Sequence, residues 1–338
     1  MSLLVLTAQD VNTVISTIRP NELEHLMTSV FRSLPSKSGY ASPHRTSIQM
    51  SQHTALFMPS RLDRIGTAVK VVSVPTSPTD MRGLPASTVL LDEETGRARA
   101  IVNASTLTAL RNAAGSVLAT RLLLAKPPTS LVAFGAGRQI EAHAHLHIRA
   151  FPSLKRCTII NRTQNARLDN LLSALRQSYP SITFDSSTLG ETESVKSAVE
   201  HADVICTATP ATAPLISSEW VSPGTHFNLV GSYKQGMIEV DERVIRRAGT
   251  IVVDSAEACP PEGVHADRMV EIGTLVEDPD CSNTVAPVST LCERVRMSGD
   301  VTVFKSVGIG LQDVAIAHLV VSRAEEMKIG TVVESYHN

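Results

Sequence analysis

The ten residues LVAFGAGRQI, from Leu131 to Ile140, decide the fold class. An apolar run ends at Gly135, a second glycine follows at Gly137, and a polar helix start comes next. In a dinucleotide-binding βαβ unit, the first glycine permits a tight turn and the second lets the backbone approach a pyrophosphate. The N–H groups at the helix N-terminus then bind this anion. We therefore predict a dinucleotide site formed by Gly135, Gly137, Arg138 and Gln139.

The context of this turn decides which dinucleotide is expected. Ile140 stands where the full motif has a third glycine, and a glycine pair alone also occurs in ordinary turns. However, a second strand ends at the expected distance of about 20 to 25 residues. An NAD binder usually has an acidic residue there, whereas this chain has Asn161, Arg162 and Thr163. An uncharged Asn161 and the Arg162 guanidinium favour a 2′-phosphate, hence NADP(H). The alternative is that Arg162 is a solvated loop residue.

Strands and helices alternate after Lys126-Pro127-Pro128, which is typical of parallel βαβ units. Strands are predicted at Ser130 to Phe134, Cys157 to Asn161, Val204 to Ala208, His226 to Val230, Thr250 to Val253 and Val301 to Lys305. Helices are predicted at Arg138 to Ala150, Thr163 to Ser178, Glu191 to Glu200, Asp241 to Arg247, Asn283 to Met297 and Gly310 to Lys328. Small hydroxyl residues end the third of these strands, and Thr207 is the candidate cofactor contact there.

The first part of the chain has a different pattern. A helix is predicted from Ser105 to Leu124, and short β-like runs precede it. The segment from Ser33 to Ser60 has little periodicity and is predicted to be a long functional loop. We therefore expect an α/β protein with a Rossmann domain over residues 126–305. Residues 1–125 and 306–338 would form an α+β domain for substrate binding and dimerisation.

Composition excludes several classes of function. The formal net charge is -2, so no overall positive field attracts nucleic acid or an anionic membrane. No apolar run is long enough to cross a membrane, and the first residues lack the basic start of a signal peptide, so a cytoplasmic location is expected. The 5 cysteines contain no CxxC pair. Their spacing matches neither a metal site nor a disulfide framework, and several fall in apolar runs, where we expect inert core thiols.

Five stretches in fixed order resemble the ornithine cyclodeaminase/mu-crystallin family, and the resemblance covers nearly the whole chain. They are Gly66 to Lys70, Leu107 to Ala114, Phe134 to Gln139, Asn228 to Tyr233 with Glu239 to Asp241, and Phe304 to Asp313. The resemblance implies the two domains already drawn, a homodimer that pairs through the sheets of its first domains, and an active site in the cleft between domains.

The resemblance also assigns residues. It implies that Arg45, Lys70 and Arg111 bind the carboxylate of an amino or imino acid, a group that arginine recognises bidentately. Arg45 could instead lie on a surface loop, and Arg111 on a solvated helix face. Crowding by Arg45 and Arg111, along with desolvation, should lower the pKa of Lys70 and ease proton transfer. Alternatively, Lys70 is an edge-strand lysine that prevents aggregation. Further positions implied by the resemblance are Gly231 and Ser232 on the cofactor, and Ser306 and Val307 near nicotinamide and substrate.

One departure from the family pattern argues against the cyclodeaminase reaction. Ornithine cyclodeaminases have an aspartate where this chain has Tyr233, and a phenol with a pKa of about 10 cannot replace it as the partner of an amine. Met237 stands in place of a family lysine, and a family threonine has only Ser87 or Thr88 as substitutes. Ornithine deamination is therefore disfavoured, and Tyr233 is expected to line the substrate pocket.

The sequence thus predicts an oxidoreductase that reduces a C=N bond beside a carboxylate with NADPH. Pyrroline- or piperideine-2-carboxylate would be default substrates, and Lys70 or a water that it orients would supply the proton. Three alternatives stay open. They are a cyclodeaminase that recycles NAD internally, an opine-type or amino-acid dehydrogenase, and a non-catalytic NADPH-dependent binder of small ligands.

Overall fold

The computed structural model describes residues 2–77, 83–233, 236–259, 268–276 and 288–338. The chain divides into two compact units, Met1–Arg111 with Ile309–Asn338, and Asn112–Gly308. The first boundary falls inside a single helix, Ser105–Leu123. The division predicted from the sequence, at residues 125 and 305, has different boundaries and stays a prediction.

The first unit is built on an eight-stranded sheet. Its strands are β1 Leu3–Leu6, β2 Tyr40–Ala41, β3 Thr46–Gln49, β4 His53–Leu62, β5 Gly66–Pro75, β6 Ala86–Leu91, β7 Ala98–Asn103 and β18 Thr331–Val333. Their order is β18-β1-β7-β6-β5-β4-β2, and β3 also pairs with β4. The strands pair antiparallel except for β1 with β7. Its helices are α1 Ala8–Thr17, α2 Pro20–Ser36, the first part of α3 Ser105–Leu123, and α9 Gly310–Met327.

Strand β5 shows why this sheet has two different faces. Ala68, Lys70 and Val72 alternate with residues that are only half-buried, so one face of the strand is covered and the other is not. Helix α9 packs against β4 and β5. A lysine at a covered position therefore lies inside the unit, which is the first structural sign of a functional site.

The predicted loop from Ser33 to Ser60 is wrong. Helix α2 continues to Ser36, and the segment then contains β2, β3 and most of β4. All ten residues of β4 pair with β5, from His53 opposite Pro75 to Leu62 opposite Gly66. Periodicity failed here because β4 carries no regular alternation of buried and exposed residues. Its conformation is set by a neighbouring strand and not by its own pattern.

The second unit is a parallel sheet in the order β10-β9-β8-β11-β13-β17-β15-β16. Its strands are β8 Ser130–Phe134, β9 Arg156–Asn161, β10 Thr183–Thr188, β11 Val204–Thr207, β13 His226–Leu229, β15 Ile251–Val253, β16 Met269–Glu271 and β17 Thr302–Lys305. A separate pair consists of β12 Thr212–Ile216 and β14 Ile238–Val240. The helices are α4 Arg138–Ala150, α5 Ala166–Ser178, α6 Thr192–Glu200, α7 Glu242–Ala248 and α8 Val288–Met297.

This strand order confirms the predicted fold class. Taken in chain order, the first five strands of the sheet run 3-2-1-4-5, and all the strand pairs are parallel. That is the Rossmann arrangement, in which a dinucleotide lies outside the carboxyl ends of the strands where the order reverses, here between β8 and β11. Both β8 and α4 have the bounds that the sequence predicted. Of the predicted helix from Asn283, residues 283–287 lie outside the described ranges.

A buried polar network lies in the core of the second unit. The histidine network consists of Ser116, Thr120, His143, His147, His226, Asn228 and Thr302. The His143 Nδ1 donates to the Gln139 carbonyl at 2.7 Å, so its Nε2, 3.0 Å from the Ser116 hydroxyl, accepts. Burial lowers the pKa of His143 to about 4, and those of His147 and His226 to about 3. All three rings are therefore neutral at pH 7.

The four cysteines that the structure describes lie in the core. Cys157, Cys206, Cys259 and Cys292 are buried free thiols, and burial raises the pKa of Cys206 to about 12. Cys281 lies outside the described residues. Within the described ranges, no helix has both the length and the apolar character needed to cross a bilayer.

Candidate functional site

Lys70 and Asp313 form a buried ion pair in the first unit. Lys70 is on β5, and its Nζ lies 2.6 Å from Asp313 Oδ2 on α9. The two residues are 2% and 4% exposed. Because β5 lies between β4 and β6, the alternative that Lys70 protects a sheet edge is wrong. Asp313 ends the family-like stretch Phe304 to Asp313 but was not predicted as a site residue.

Arg111 joins this pair from α3. Its Nε donates to Asp313 Oδ1 at 3.1 Å, and one terminal nitrogen donates to Gln312 Oε1 at 3.1 Å. Gln312 also receives the Ile309 N–H and donates to the Arg111 carbonyl. Arg111 is 3% exposed, so the alternative of a solvated helix face is wrong. We call Lys70, Arg111, Gln312 and Asp313 the lysine cluster.

The electrostatics of the cluster bring the pKa of Lys70 closer to neutral pH than that of an exposed lysine. Burial lowers the pKa of Lys70 to about 8, the Asp313 carboxylate opposes this shift, and Arg111 adds to it. Arg45 lowers the pKa further but is the weakest of these causes. The direction predicted from the sequence is confirmed, although desolvation outweighs the two arginines. A buried lysine of this kind can hold a proton at pH 7 and still release it.

Arg45 is not packed into the cluster. It lies in the irregular segment between β2 and β3, and its side chain is exposed. Within the described part of the chain, Arg45 acts on the cluster through a weak electrostatic lowering of the Lys70 pKa. The structure therefore brings Lys70 and Arg111 together, and it leaves Arg45 at the surface.

The glycine turn in the second unit has the form that a dinucleotide requires. Gly135 has φ 115°, a left-handed conformation that favours glycine, and a Cβ there would lie 3.2 Å from the Ala208 carbonyl. Gly137 is the N-cap of α4 and provides no capping side chain, and a Cβ there would meet nothing within 4 Å. The Gln139 Oε1 is buried without a hydrogen-bond partner. The helix start without a capping side chain presents N–H donors and fits a bound pyrophosphate, whereas the Gln139 oxygen is an acceptor and fits a hydroxyl or N–H group.

The residues at the end of β9 face outward. Asn161 is half-buried and donates from Nδ2 to the Thr163 carbonyl at 2.9 Å, which shapes the turn. Arg162 and Thr163 are both exposed, and Arg138 at the start of α4 is exposed as well. The geometry leaves the Arg162 guanidinium accessible to a ligand.

Glu239, which was not predicted as a site residue, organises the ends of β11 and β13. Its carboxylate accepts the Thr207 hydroxyl and the Gly231 N–H, both at 2.8 Å. It also accepts the Thr209 N–H and hydroxyl, at 2.7 and 2.8 Å. The predicted cofactor residues Thr207 and Gly231 are thus held by a side chain on β14.

A second buried carboxylate holds the turn after β17. Asp254 accepts the Ser306 hydroxyl at 2.8 Å and the Gly308 N–H at 2.6 Å. Ser306 is buried and Val307 is half-buried. In the loop after β13, Ser232 is buried, Tyr233 is half-buried and Met237 is buried. The predicted contacts of these residues with cofactor or substrate stay predictions.

Comparison with known proteins identifies the family. The ornithine cyclodeaminase/mu-crystallin family profile matches residues 3–328. The chain belongs to this family. The prediction made from the five sequence stretches is confirmed.

Three similar proteins show how much of the chain the likeness covers. The Arabidopsis thaliana protein SAR DEFICIENT 4 is 31% identical over 89% of this chain and 94% of its own length. The ketimine reductase mu-crystallin of Mus musculus is 32% identical over 83% of this chain and 85% of its own length. The structure of Thermococcus litoralis Delta(1)-pyrroline-2-carboxylate reductase, in complex with NADH and L-proline, has a TM-score of 0.77 with 25% identity. It covers 97% of this chain and 99% of that one.

Proposed function

We propose that the protein is an NAD(P)H-dependent reductase of a C=N bond beside a carboxylate, with cyclic ketimines as substrates. The observation that carries the proposal is the buried Lys70–Asp313 pair, with Arg111 on the second carboxylate oxygen. The predicted enzyme class, an oxidoreductase acting on CH–NH bonds, agrees with relatives named ketimine reductase and Delta(1)-pyrroline-2-carboxylate reductase.

Lys70 is the proton donor in this proposal. When bound, a reduced nicotinamide supplies a hydride to the imine carbon. The π electrons of the C=N bond then move to nitrogen, which takes a proton from the Lys70 ammonium and becomes the product amine. Lys70 recovers its proton from solvent. A pKa of about 8 keeps Lys70 mostly protonated at pH 7 and makes its proton easier to release than that of an exposed lysine.

The arginines recognise the substrate carboxylate. Arg111 is fixed by Asp313 and Gln312, so its guanidinium is held in one orientation before substrate arrives. Arg45 is exposed and would add a second, more adaptable cation. Asp313 acts through Lys70 and Arg111 as a positioning residue. The acidic group of an imino acid supplies the charge that these two arginines attract.

We further propose NADP(H) as the preferred cofactor. The support is the uncharged Asn161 at the end of β9 and the exposed Arg162 that follows it. Arg162→Asp should shift the NADPH to NADH ratio of kcat/KM by about 30-fold toward NADH, since it replaces an attractive charge with a repulsive one. Equal ratios in both proteins would contradict the assignment.

A homodimer that pairs through the first unit is also proposed. Pro59, Val69, Val89 and Ile101 lie side by side across four strands, on the face opposite Lys70. All four are only half-buried. A continuous apolar row on a sheet face is typical of an interface with a second copy. Sedimentation equilibrium should show a dimer, and Val69→Asp should weaken it.

The function is tested by following NADPH and NADH oxidation with pyrroline- and piperideine-2-carboxylate. We expect turnover of at least one of these imines, with formation of the corresponding cyclic amino acid. Ammonia release from ornithine or lysine without net cofactor oxidation would instead indicate a cyclodeaminase. No oxidation with any cyclic imine, or with an oxo acid plus an amine, would refute the proposal.

A further inference from the structure

Glu239 is a buried carboxylate to which four hydrogen bonds are donated within the second unit. It is 2% exposed and lies on the short strand β14. Oε1 receives both donors of Thr209, whereas Oε2 receives the Thr207 hydroxyl and the Gly231 N–H. Each oxygen therefore accepts two donors, which fills the hydrogen-bonding capacity of the carboxylate.

These four bonds join two neighbouring strand ends. Thr207 is the last residue of β11, and Gly231 follows β13 by two positions. A Cβ at Gly231 would lie 2.3 Å from both Glu239 Oε1 and the Thr209 carbonyl, so no side chain fits there. The loop after β13 is thus held directly against the carboxylate. β11 borders β8, where the strand order reverses and a dinucleotide crosses the sheet.

The position of β11 and β13 within the sheet indicates which part of the cofactor is affected. The glycine turn after β8 receives the pyrophosphate, and β9 on one side of β8 carries the residues for the adenosine ribose. β11 and β13 lie on the other side of β8, so their ends face the nicotinamide half. All four hydrogen bonds of Glu239 come from residues on this side of β8, namely Thr207, Thr209 and Gly231.

The bond to Glu239 also defines what Thr207 can offer a ligand. A threonine hydroxyl has one proton, and here it is donated to Glu239 Oε2. Because Thr207 is also 0% exposed, its hydroxyl is not available for contact with a cofactor, and Thr207 can act on the site only through the position of the end of β11.

We propose that Glu239 is a positioning residue that shapes the nicotinamide half of the dinucleotide site without contributing to the adenosine half. The inference rests on the proposed cofactor site but not on the identity of the imine. Glu239→Gln is an informative substitution, because it keeps the size of the side chain but replaces one acceptor oxygen with the Nε2 donor. That Nε2 would face two donors, with which it cannot form hydrogen bonds.

The experiment compares full dinucleotides with ligands that lack nicotinamide. Binding of NADPH and NADH is measured by nucleotide fluorescence, and binding of ADP-ribose and its 2′-phosphate by calorimetry. Glu239→Gln should raise the Kd of both dinucleotides by about 10-fold and change the Kd of the nicotinamide-free ligands by less than about 2-fold. The matched control is Glu242→Gln, which removes the same charge from an exposed carboxylate that pairs with Arg246. It should leave all four values unchanged.

Each other result has a distinct meaning. Equal dinucleotide affinities in wild type and Glu239→Gln would overturn the inference, and so would a parallel weakening of the nicotinamide-free ligands, since that indicates general damage to the fold. If Glu239→Gln does not fold, Thr209→Val removes one donor and should raise only the dinucleotide Kd values, by about 3-fold. Failure of the wild-type protein to bind either dinucleotide would overturn the proposed cofactor site, and this inference with it.

Discussion

The lysine cluster and the histidine network both bury titratable side chains, but only the lysine cluster buries charge. Lys70 and Arg111 lie on the two oxygens of Asp313, so each ion is paired. The three histidines of the network have hydroxyl, amide and carbonyl partners, and burial lowers the pKa of each well below 6.5. One region is arranged to hold charge and the other to exclude it.

The difference teaches which buried polar group to regard as catalytic. A neutral, fully hydrogen-bonded network stabilises one packing of the core and needs no further role. Burying ions costs free energy that apolar residues of the same size would avoid, so a buried ion pair requires another explanation. In the proposed function, proton transfer and carboxylate binding supply this explanation for the lysine cluster.

The largest expected effect is the fall in kcat when the Lys70 proton donor is removed. Lys70→Met should lower kcat by about 1,000-fold, within the range that a positioned acid contributes. Lys70→Arg keeps the positive charge but cannot release a proton at neutral pH, so it should be impaired to a similar degree. Steady-state oxidation of NADPH with a cyclic imine measures both. Retention of a tenth of the wild-type kcat in Lys70→Met would assign the proton to another donor.

The sequence predicted Lys70 and Arg111 but not the residue that joins them. Gly135 and Gly137 could be recognised because a turn and a helix start are local, and β8 and α4 had the predicted bounds. Asp313 lies 202 positions from Arg111, and no periodicity reports a contact at such a separation. Glu239 was missed for the same reason, since its hydrogen bonds depend on where β14 lies relative to the ends of β11 and β13.

A smaller effect is expected from Asp313→Asn, because Lys70 remains but loses its counterion. The Asp313 carboxylate raises the pKa of Lys70 against burial, so its removal should lower that pKa below about 8. A proton donor is active below its pKa and inactive above it. The alkaline limb of the kcat profile should therefore move to lower pH, with about a 10-fold loss at pH 8. An unchanged limb would show that Lys70 does not control it.

The smallest expected effect tests whether the histidine network is neutral and structural. His143 has a pKa of about 4 in the folded protein against 6.5 for the free side chain. Because its pKa is lower in the folded state, the imidazole binds a proton more readily in the unfolded state. Its contribution to the free energy of unfolding is therefore fully present above pH 6.5 and is lost as the pH falls toward 4. Between pH 7.5 and 5.5 the loss should be about 1 kcal/mol for His143.

Urea unfolding at these two pH values measures the loss, and His143→Gln should reduce the difference by about that amount. His201 is an exposed histidine of the same unit, and His201→Gln is the matched control that should leave the difference unchanged. The same substitutions should not move the alkaline limb of kcat, since that limb belongs to Lys70. If His143→Gln altered the limb and left the acid sensitivity intact, the division between a structural network and a catalytic cluster would be wrong.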